Sequence, residues 1–389
     1  MTQEPVHDPV IVTDGTVDGR PQRIAVISDG QFVARDPGNA LLPNVRKTLR
    51  EIVAARPDYL VIDGDFVDEA SPADFALAKQ VLDEEVGDAI PWTYVPGNHE
   101  VMGGPIGNFT AVFGPTHTTT LLSTPRGATR LITLNSSSLT LHGNDDGAAQ
   151  LVELEQQLRD AAADPSVTGV LIATHVPVDD PLADRSSQLG DRVEAQQLED
   201  RLGRFRTQSH KSVAVVNGHV GVFHASSAQG VSMIINGNSG KTPAGNVTDG
   251  GFRGWTMLGI DPAKGVVGTS PKPSARVDWL RAETHPSVDA LQLEVPARLG
   301  VGSSVTLAPT FTQGTASVPV AWPVSAQWSG DGVRVDEAVH GVGGAVVRFD
   351  PSTNRLTALR AGTAVLTLVV GGVKESATIQ VTGVGAHRS

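Results

Sequence analysis

Tyr59-Leu-Val-Ile-Asp63-Gly64-Asp65-Phe-Val-Asp68 is the stretch on which the reading of the fold turns. Tyr59 to Ile62 form a short apolar run, and a run of this length suits a strand buried on both faces of a sheet. The run stops at Asp63-Gly64-Asp65, where a residue without a side chain lets the chain turn sharply and bring Asp65 inward. The same grammar recurs on either side. Ile24-Ala-Val-Ile27 runs into Ser28-Asp29-Gly30-Gln31, and Trp92-Thr-Tyr-Val95 runs through Pro96 into Gly97-Asn98-His99-Glu100. Farther along, Val170-Leu-Ile-Ala-Thr174 ends in His175, and Val213-Ala-Val-Val-Asn217 ends in Gly218-His219. Open α/β sheets bind ligands at the carboxyl ends of their strands, so five groups of polar residues can meet in one place.

With Leu131 to Leu134 these make six short runs, and amphipathic stretches lie between several of them. Val45, Leu49, Ile52 and Val53 share one helical face, as do Leu151, Leu154 and Leu158, and later Leu198, Leu202 and Phe205. Alternating strands and helices predict a layered α/β domain with helices on the sheet faces. Residues 1–22 are polar and rich in turn formers, which predicts a linker. Beyond about Ala282 the helical period fades into short segments, among them Ala290 to Val295, Ser304 to Leu307, Val346 to Phe349 and Ala364 to Val370, which predict an all-β sandwich. The expected division is therefore a linker over 1–22, an α/β domain over 23–283 and a β domain over 284–389. Arg355-Leu-Thr-Ala-Leu-Arg-Ala-Gly362-Thr-Ala-Val-Leu-Thr-Leu, continuing to Ile379-Gln-Val-Thr382, resembles the closing part of bacterial Ig-like repeats. That resemblance implies an Ig-like sandwich and an extracytoplasmic setting, secreted or at the cell surface.

Composition narrows the chemistry. The 389 residues are 40% hydrophobic and 19% charged, the balance of a soluble globular protein. No apolar run approaches the roughly 20 residues needed to span a bilayer, so no transmembrane segment is expected. Met1-Thr-Gln-Glu-Pro5 has no basic stretch followed by an apolar one, so no signal peptide is expected at this start. A formal net charge of −12 disfavours a nucleic-acid-binding surface, because polyanion affinity rests largely on lysine and arginine. There is no cysteine, which excludes disulfides, thiolate catalysis and thiolate-held metals. A metal site must use His, Asp, Asn or water.

In order and spacing, these groups resemble the calcineurin-like metallophosphoesterase superfamily, whose pattern is D-x-H, G-D-x-x-D, G-N-H-D/E, a lone His and G-H-x-H. The resemblance covers about residues 23–282 and implies an αββα sandwich that hydrolyses a phosphomonoester or phosphodiester with metal-activated water. It implies divalent ions (Mn, Fe, Zn, Mg or Ca), with Asp65 bridging two of them. Asn98, His175 and His219 would complete one site and Asp29 would belong to the other. His99, oriented by Asp68, would act on the phosphoryl group or protonate the leaving oxygen instead of binding metal. The substrate class implied is a phosphate ester, with cell-wall or glycan-linked esters suggested by the Ig-like tail.

Two positions depart from the pattern. Gln31 stands where the family usually has His, and Gly221 stands where G-H-x-H has its second His. Both belong to the same metal site, so one site is expected to be well formed and the other weaker. Three alternatives stand open for the second: an empty site, a weak one built from Asp29, Gln31 and Asp65, or one that recruits His224. Gln31 is a weaker donor than imidazole and favours a harder ion. Asn236-Gly-Asn238-Ser-Gly240-Lys241-Thr has the look of a phosphate loop but lacks its first glycine, having Ile235 there. It is read as a turn at a strand end, with Asn238 and Lys241 as phosphate contacts. A rival reading, favoured by the missing imidazoles, is a non-catalytic surface protein that binds phosphorylated glycans on a degraded phosphoesterase scaffold.

Overall fold

A computed structural model of the chain describes residues 11, 17–144, 147–266, 279–336 and 344–383, and most of the stretch read as a leading linker lies outside them. The described residues fall into two compact units, one within Val17–Thr284 together with Ile11, the other within His285–Ser389.

The first unit contains two sheets. Strands β1 (Gln22–Ile27), β2 (Tyr59–Asp63) and β3 (Trp92–Val95) run parallel, with Ile27 opposite Ile62 and Asp63 opposite Val95. The second sheet holds β4 (Thr119–Thr124), β5 (Gly127–Thr133), β6 (Val167–Ala173), β7 (Ser212–Asn217), β8 (His224–Ala228) and β9 (Val231–Ile235), in the order β4-β5-β6-β7-β9-β8. Strands β10 (Gly254–Ile260) and β11 (Leu280–Pro286) extend the first sheet beyond β1.

Period-two burial explains how the layers stack. Ile24, Val26, Val61 and Val95 of one sheet share a core with Leu131, Leu171, Ala214, Val216 and Ile234 of the other. The alternate residues Ile132, Val170, Ile172, Val213 and Val215 turn the opposite way, onto Leu154 and Leu158 of α4 (Gly147–Ala163) and Leu198, Leu202 and Phe205 of α5 (Arg192–Ser209). Strands apolar on both faces are what a sheet between two layers requires. On α1 (Leu41–Ala55) the stripe Val45, Leu49 and Ile52 is buried as expected, while Val53 is half-buried. The αββα arrangement expected from the sequence is the one observed.

Strands β4, β8 and β10 carried no recognised signal, and β9 was marked only by the strand-end turn that begins at Asn236. β4 and β8 are edge strands rich in Thr and Ser and only half covered, so they lack an apolar run. β9 and β10 are buried, but Ser232, Gly254 and Gly259 interrupt their apolar character.

Among the described residues the second unit is built of strands alone, in three sheets. Its longest feature is the hairpin of Gly362–Val370 with Val373–Thr382, closed by Gly371 and Gly372 at φ 54° and 80°. Ala364, Leu366, Leu368 and Val370 alternate inward along its first strand.

Candidate metal centre

Parallel pairing aligns the strand ends, and the loops after them lock to one another. Asp29 and Gln31 donate their backbone N–H groups to the carbonyls of Gly64 and Asp65, at 3.1 and 3.0 Å. Gly218 N–H donates to the His175 carbonyl at 3.0 Å, which brings the ends of β6 and β7 together. The turn after β9 joins the same centre, because Gly240 and Lys241 donate to the Asp29 carbonyl at 3.2 and 3.0 Å. Four residues of these loops, Asp29, Gln31, Asp65 and His219, have positive φ between 49° and 69°. Each such conformation costs on the order of 1–3 kcal/mol for a residue with a side chain. Their concentration at one place marks a site whose side-chain directions are held against local preference.

Asp65, His175 and His219 each offer a ligand atom, and the three atoms lie within 4.8 Å of one another. The His175 ring is fully buried, and its Nδ1–H donates to the Asp63 carbonyl at 2.6 Å. That bond commits Nδ1 as the donor and leaves Nε2 as the ring atom that faces the centre. Nε2 lies 3.1 Å from Asp65 Oδ2 but makes no well-directed hydrogen bond with it, and Asn98 Oδ1 is likewise buried without a partner. Buried polar atoms are normally satisfied, so a buried Asn98 oxygen left free and a His175 nitrogen aimed at a buried carboxylate are atoms suited to a cation. The glycines make room. A Cβ at Gly64 would strike the His175 ring, and one at Gly97 would strike Asp65.

The electrostatics agree. Burial raises the Asp63 carboxyl to about 8, with Asp29 and Asp65 pushing the same way against His175, and both Asp63 oxygens lack a partner. Burial likewise raises Asp29 to about 6, opposed by His175. Asp65 moves the other way. Burial would raise it, but His175 and His99 together hold it well below the usual carboxylate range. Burial would also lower His175, yet Asp65, Asp29 and Asp63 outweigh it and hold the ring at about 10. His219 falls to about 3 through burial and the neighbouring His175. A proton on His175 thus balances buried negative charge, and a divalent ion would take over that role.

The other expected ligands sit as follows. Asp29 Oδ2 accepts from the His219 backbone N–H at 3.1 Å, and Gln31 Nε2 donates to Asp65 Oδ2 at 3.3 Å, so both lie against the centre. His224 opens β8 opposite Ile235 and is not one of the three clustered ligands; burial lowers its pKa, and Asp179 is the charge that counteracts this. Asn238 is buried, with Nδ2 donating to the Thr242 carbonyl at 2.7 Å and Oδ1 without a partner. Lys241 is exposed, and its charge reaches Asp29 and His219. His99 Nδ1 stands 3.1 Å from Asp68 Oδ1, while Nε2 points inward, 3.7 Å from Asp65 Oδ2.

Glu100 was quoted only as part of a motif, yet it organises both loops. Its carboxylate accepts from the backbone N–H groups of Asp65, Phe66, Val67 and Gly97 and from the Tyr94 hydroxyl. Burial, reinforced by Asp65, raises its pKa, and the donated bonds from Tyr94 and Asp65 pull back. The signal was available: an acid three residues after Gly97, beside a turn whose N–H groups need acceptors. Glu100→Gln is expected to lower stability by about 3 kcal/mol, because the new amide turns donors toward donors. Urea unfolding with an unchanged slope and a lowered midpoint is the measurement that checks it.

The model of the family described as calcineurin-like phosphoesterase matches residues 22–223, more than half of the chain. A search of curated proteins found no match. Among solved structures, a dimetal phosphatase from Danio rerio is similar at 15% identity and TM-score 0.47, over 62% of this chain and 93% of that one. GAP50, the anchor in the inner membrane complex of Plasmodium, is similar at 12% identity and TM-score 0.47, over 68% and 84%. The phosphopantetheinyl hydrolase of Mycobacterium tuberculosis is similar at 14% identity and TM-score 0.35, over 57% and 91%. The family match, not these distant likenesses, carries the assignment. The chain belongs to the calcineurin-like phosphoesterase family.

Proposed function

We propose that this protein hydrolyses a phosphate monoester or diester at the centre formed by Asp65, Asn98, His175 and His219. The observation that carries the reading is the cluster of Asp65, His175 and His219, whose ligand atoms lie within 4.8 Å of one another, with Asn98 Oδ1 buried and unpartnered. These residues would hold one divalent ion, and Asp29 and Gln31, sharing Asp65, would contribute to a second. When bound, such ions neutralise charge on the phosphoryl group and lower the pKa of the attacking water. The Asp68 backbone carbonyl accepts from His99 Nδ1 at 3.0 Å with the Asp68 carboxylate beside it, and this turns Nε2 toward the centre, where a protonated ring can donate to the leaving oxygen. Lys241 at the rim offers a cation to the ester.

The second unit is read as a bacterial Ig-like module, a reading supported by the hairpin that ends in Ile379-Gln-Val-Thr382. Cell-wall, lipid-headgroup or glycan-linked esters outside the cytoplasm are the substrates that fit such an attachment. No described helix is long and apolar enough to cross a membrane.

Protein stripped with a chelator is expected to lose turnover of bis-p-nitrophenyl and p-nitrophenyl phosphate, and to regain it with Mn, Fe, Zn, Mg or Ca. The missing imidazoles at positions 31 and 221 favour the non-catalytic binder instead. Binding of phosphate esters without turnover under any of these metals would establish that alternative.

A further inference from the structure

Gly221 holds the place of the second histidine of the G-H-x-H pattern, and a side chain there would be strained and tightly packed. Its φ is +81°, and a Cβ added to it would lie 3.1 Å from the Ala244 Cβ and 3.3 Å from the Ala244 backbone nitrogen. The third neighbour of that added Cβ, at 3.2 Å, is Asn238 Oδ1. Asn238 is only 2% exposed, and this oxygen has no hydrogen-bond partner. Its amide orientation is set, because Nδ2 donates to the Thr242 carbonyl. Oδ1 is therefore the free atom.

The turn carrying Asn238 is stitched to the Asp29 loop. Ser239 N–H donates to the Ser28 carbonyl at 2.9 Å, Ser28 N–H donates to Ser239 Oγ at 3.2 Å, and Gly240 and Lys241 donate to the Asp29 carbonyl. The loop carrying Gly221 touches the same place through the His219 N–H on Asp29 Oδ2. Gln31, 4% exposed, rests its amide on Asp65, and half a turn of that amide presents oxygen instead of nitrogen.

We propose that Asn238 replaces the lost histidine as a metal ligand, so that Asp29, Gln31, Asp65 and Asn238 form an oxygen-only site for a hard divalent cation beside the histidine-bearing site. This rests on the proposed function above, and it gives Asn238 a metal in place of the phosphate contact expected from the sequence. Oxygen donors suit Mg, Ca and Mn, whereas imidazoles suit Zn and Fe, so the two positions differ in affinity and in preferred ion.

The test is titration of chelator-stripped protein with Mn²⁺, followed by calorimetry and by electron paramagnetic resonance. Wild type takes up two ions. Asn238→Ala weakens the second by about tenfold or more while leaving the first in place, since losing a direct ligand costs at least what losing a residue behind one does. Asn238→Asp, which keeps the shape and adds charge, tightens the second, and this decides the matter if the alanine variant does not fold. Two ions of unchanged affinity in Asn238→Ala, or no tightening in Asn238→Asp, would overturn the assignment. So would a wild type that binds one ion, lost in His175→Ala; that result leaves the proposed function standing. A wild type that binds none removes the proposed function and this inference together.

Discussion

His175→Ala is expected to lower the affinity of the histidine-bearing centre for a divalent ion by more than about 100-fold, beyond what loss of a supporting residue behind a ligand costs. The ring is buried, and two of its atoms are committed in opposite directions. Nδ1–H holds the Asp63 carbonyl, and Nε2 faces Asp65 with no other partner. Alanine removes the ligand and also leaves Asp65 beside Asp29 and Asp63 without the cation that balanced them. His219→Ala should have the same direction of effect, since His219 shares the cluster within 4.8 Å. His224→Ala should retain the metal, because His224 is not one of the clustered ligands. Elemental analysis of the purified variants gives the result directly. Wild-type metal content in His175→Ala would remove that ring from the centre.

How much of this was legible follows from the kind of signal each part leaves. The strand ends were legible because β1, β2, β6 and β7 are buried and read as apolar runs halted by polar residues or Gly, while the half-buried edge strand β3 was marked by Pro96-Gly97 after it. The clustering of Asp65, His175 and His219 followed from the rule that such ends share one edge. The division of labour between Asn238 and Gly221 was not legible. Nothing in a single chain shows that Ala244 fills the space beside position 221, or that backbone bonds from Ser239, Gly240 and Lys241 tie the turn after β9 to the carbonyls of Ser28 and Asp29. Glu100 lay in plain view as an acid three residues after Gly97, but four of its five partners are backbone N–H groups, and only the Tyr94 hydroxyl is a side chain. Edge strands β4 and β8 were missed for a related cause: half-exposed Thr and Ser satisfy a sheet edge without any apolar pattern.

His99→Ala separates catalysis from binding. His99 is held by Asp68 at Nδ1, its backbone N–H donates to Asp65 Oδ1 at 2.9 Å, and its Nε2 is not among the clustered ligand atoms. The variant should therefore keep its metal while turnover falls by about 10²-fold or more, the usual cost of losing a positioned acid. The size of the loss should depend on the leaving group. A p-nitrophenolate departs with little help, whereas an alkoxide of a sugar or glycerol needs a proton as the bond breaks, so the defect should grow with leaving-group pKa. Asp68→Asn should show the same slope to a smaller degree, because the backbone carbonyl still accepts from Nδ1 and only the carboxylate charge beside the ring is lost. A metal content that falls in step with activity in His99→Ala would make His99 a ligand. A defect of equal size for every leaving group would mean that His99 stabilises the phosphoryl group itself and does not deliver a proton.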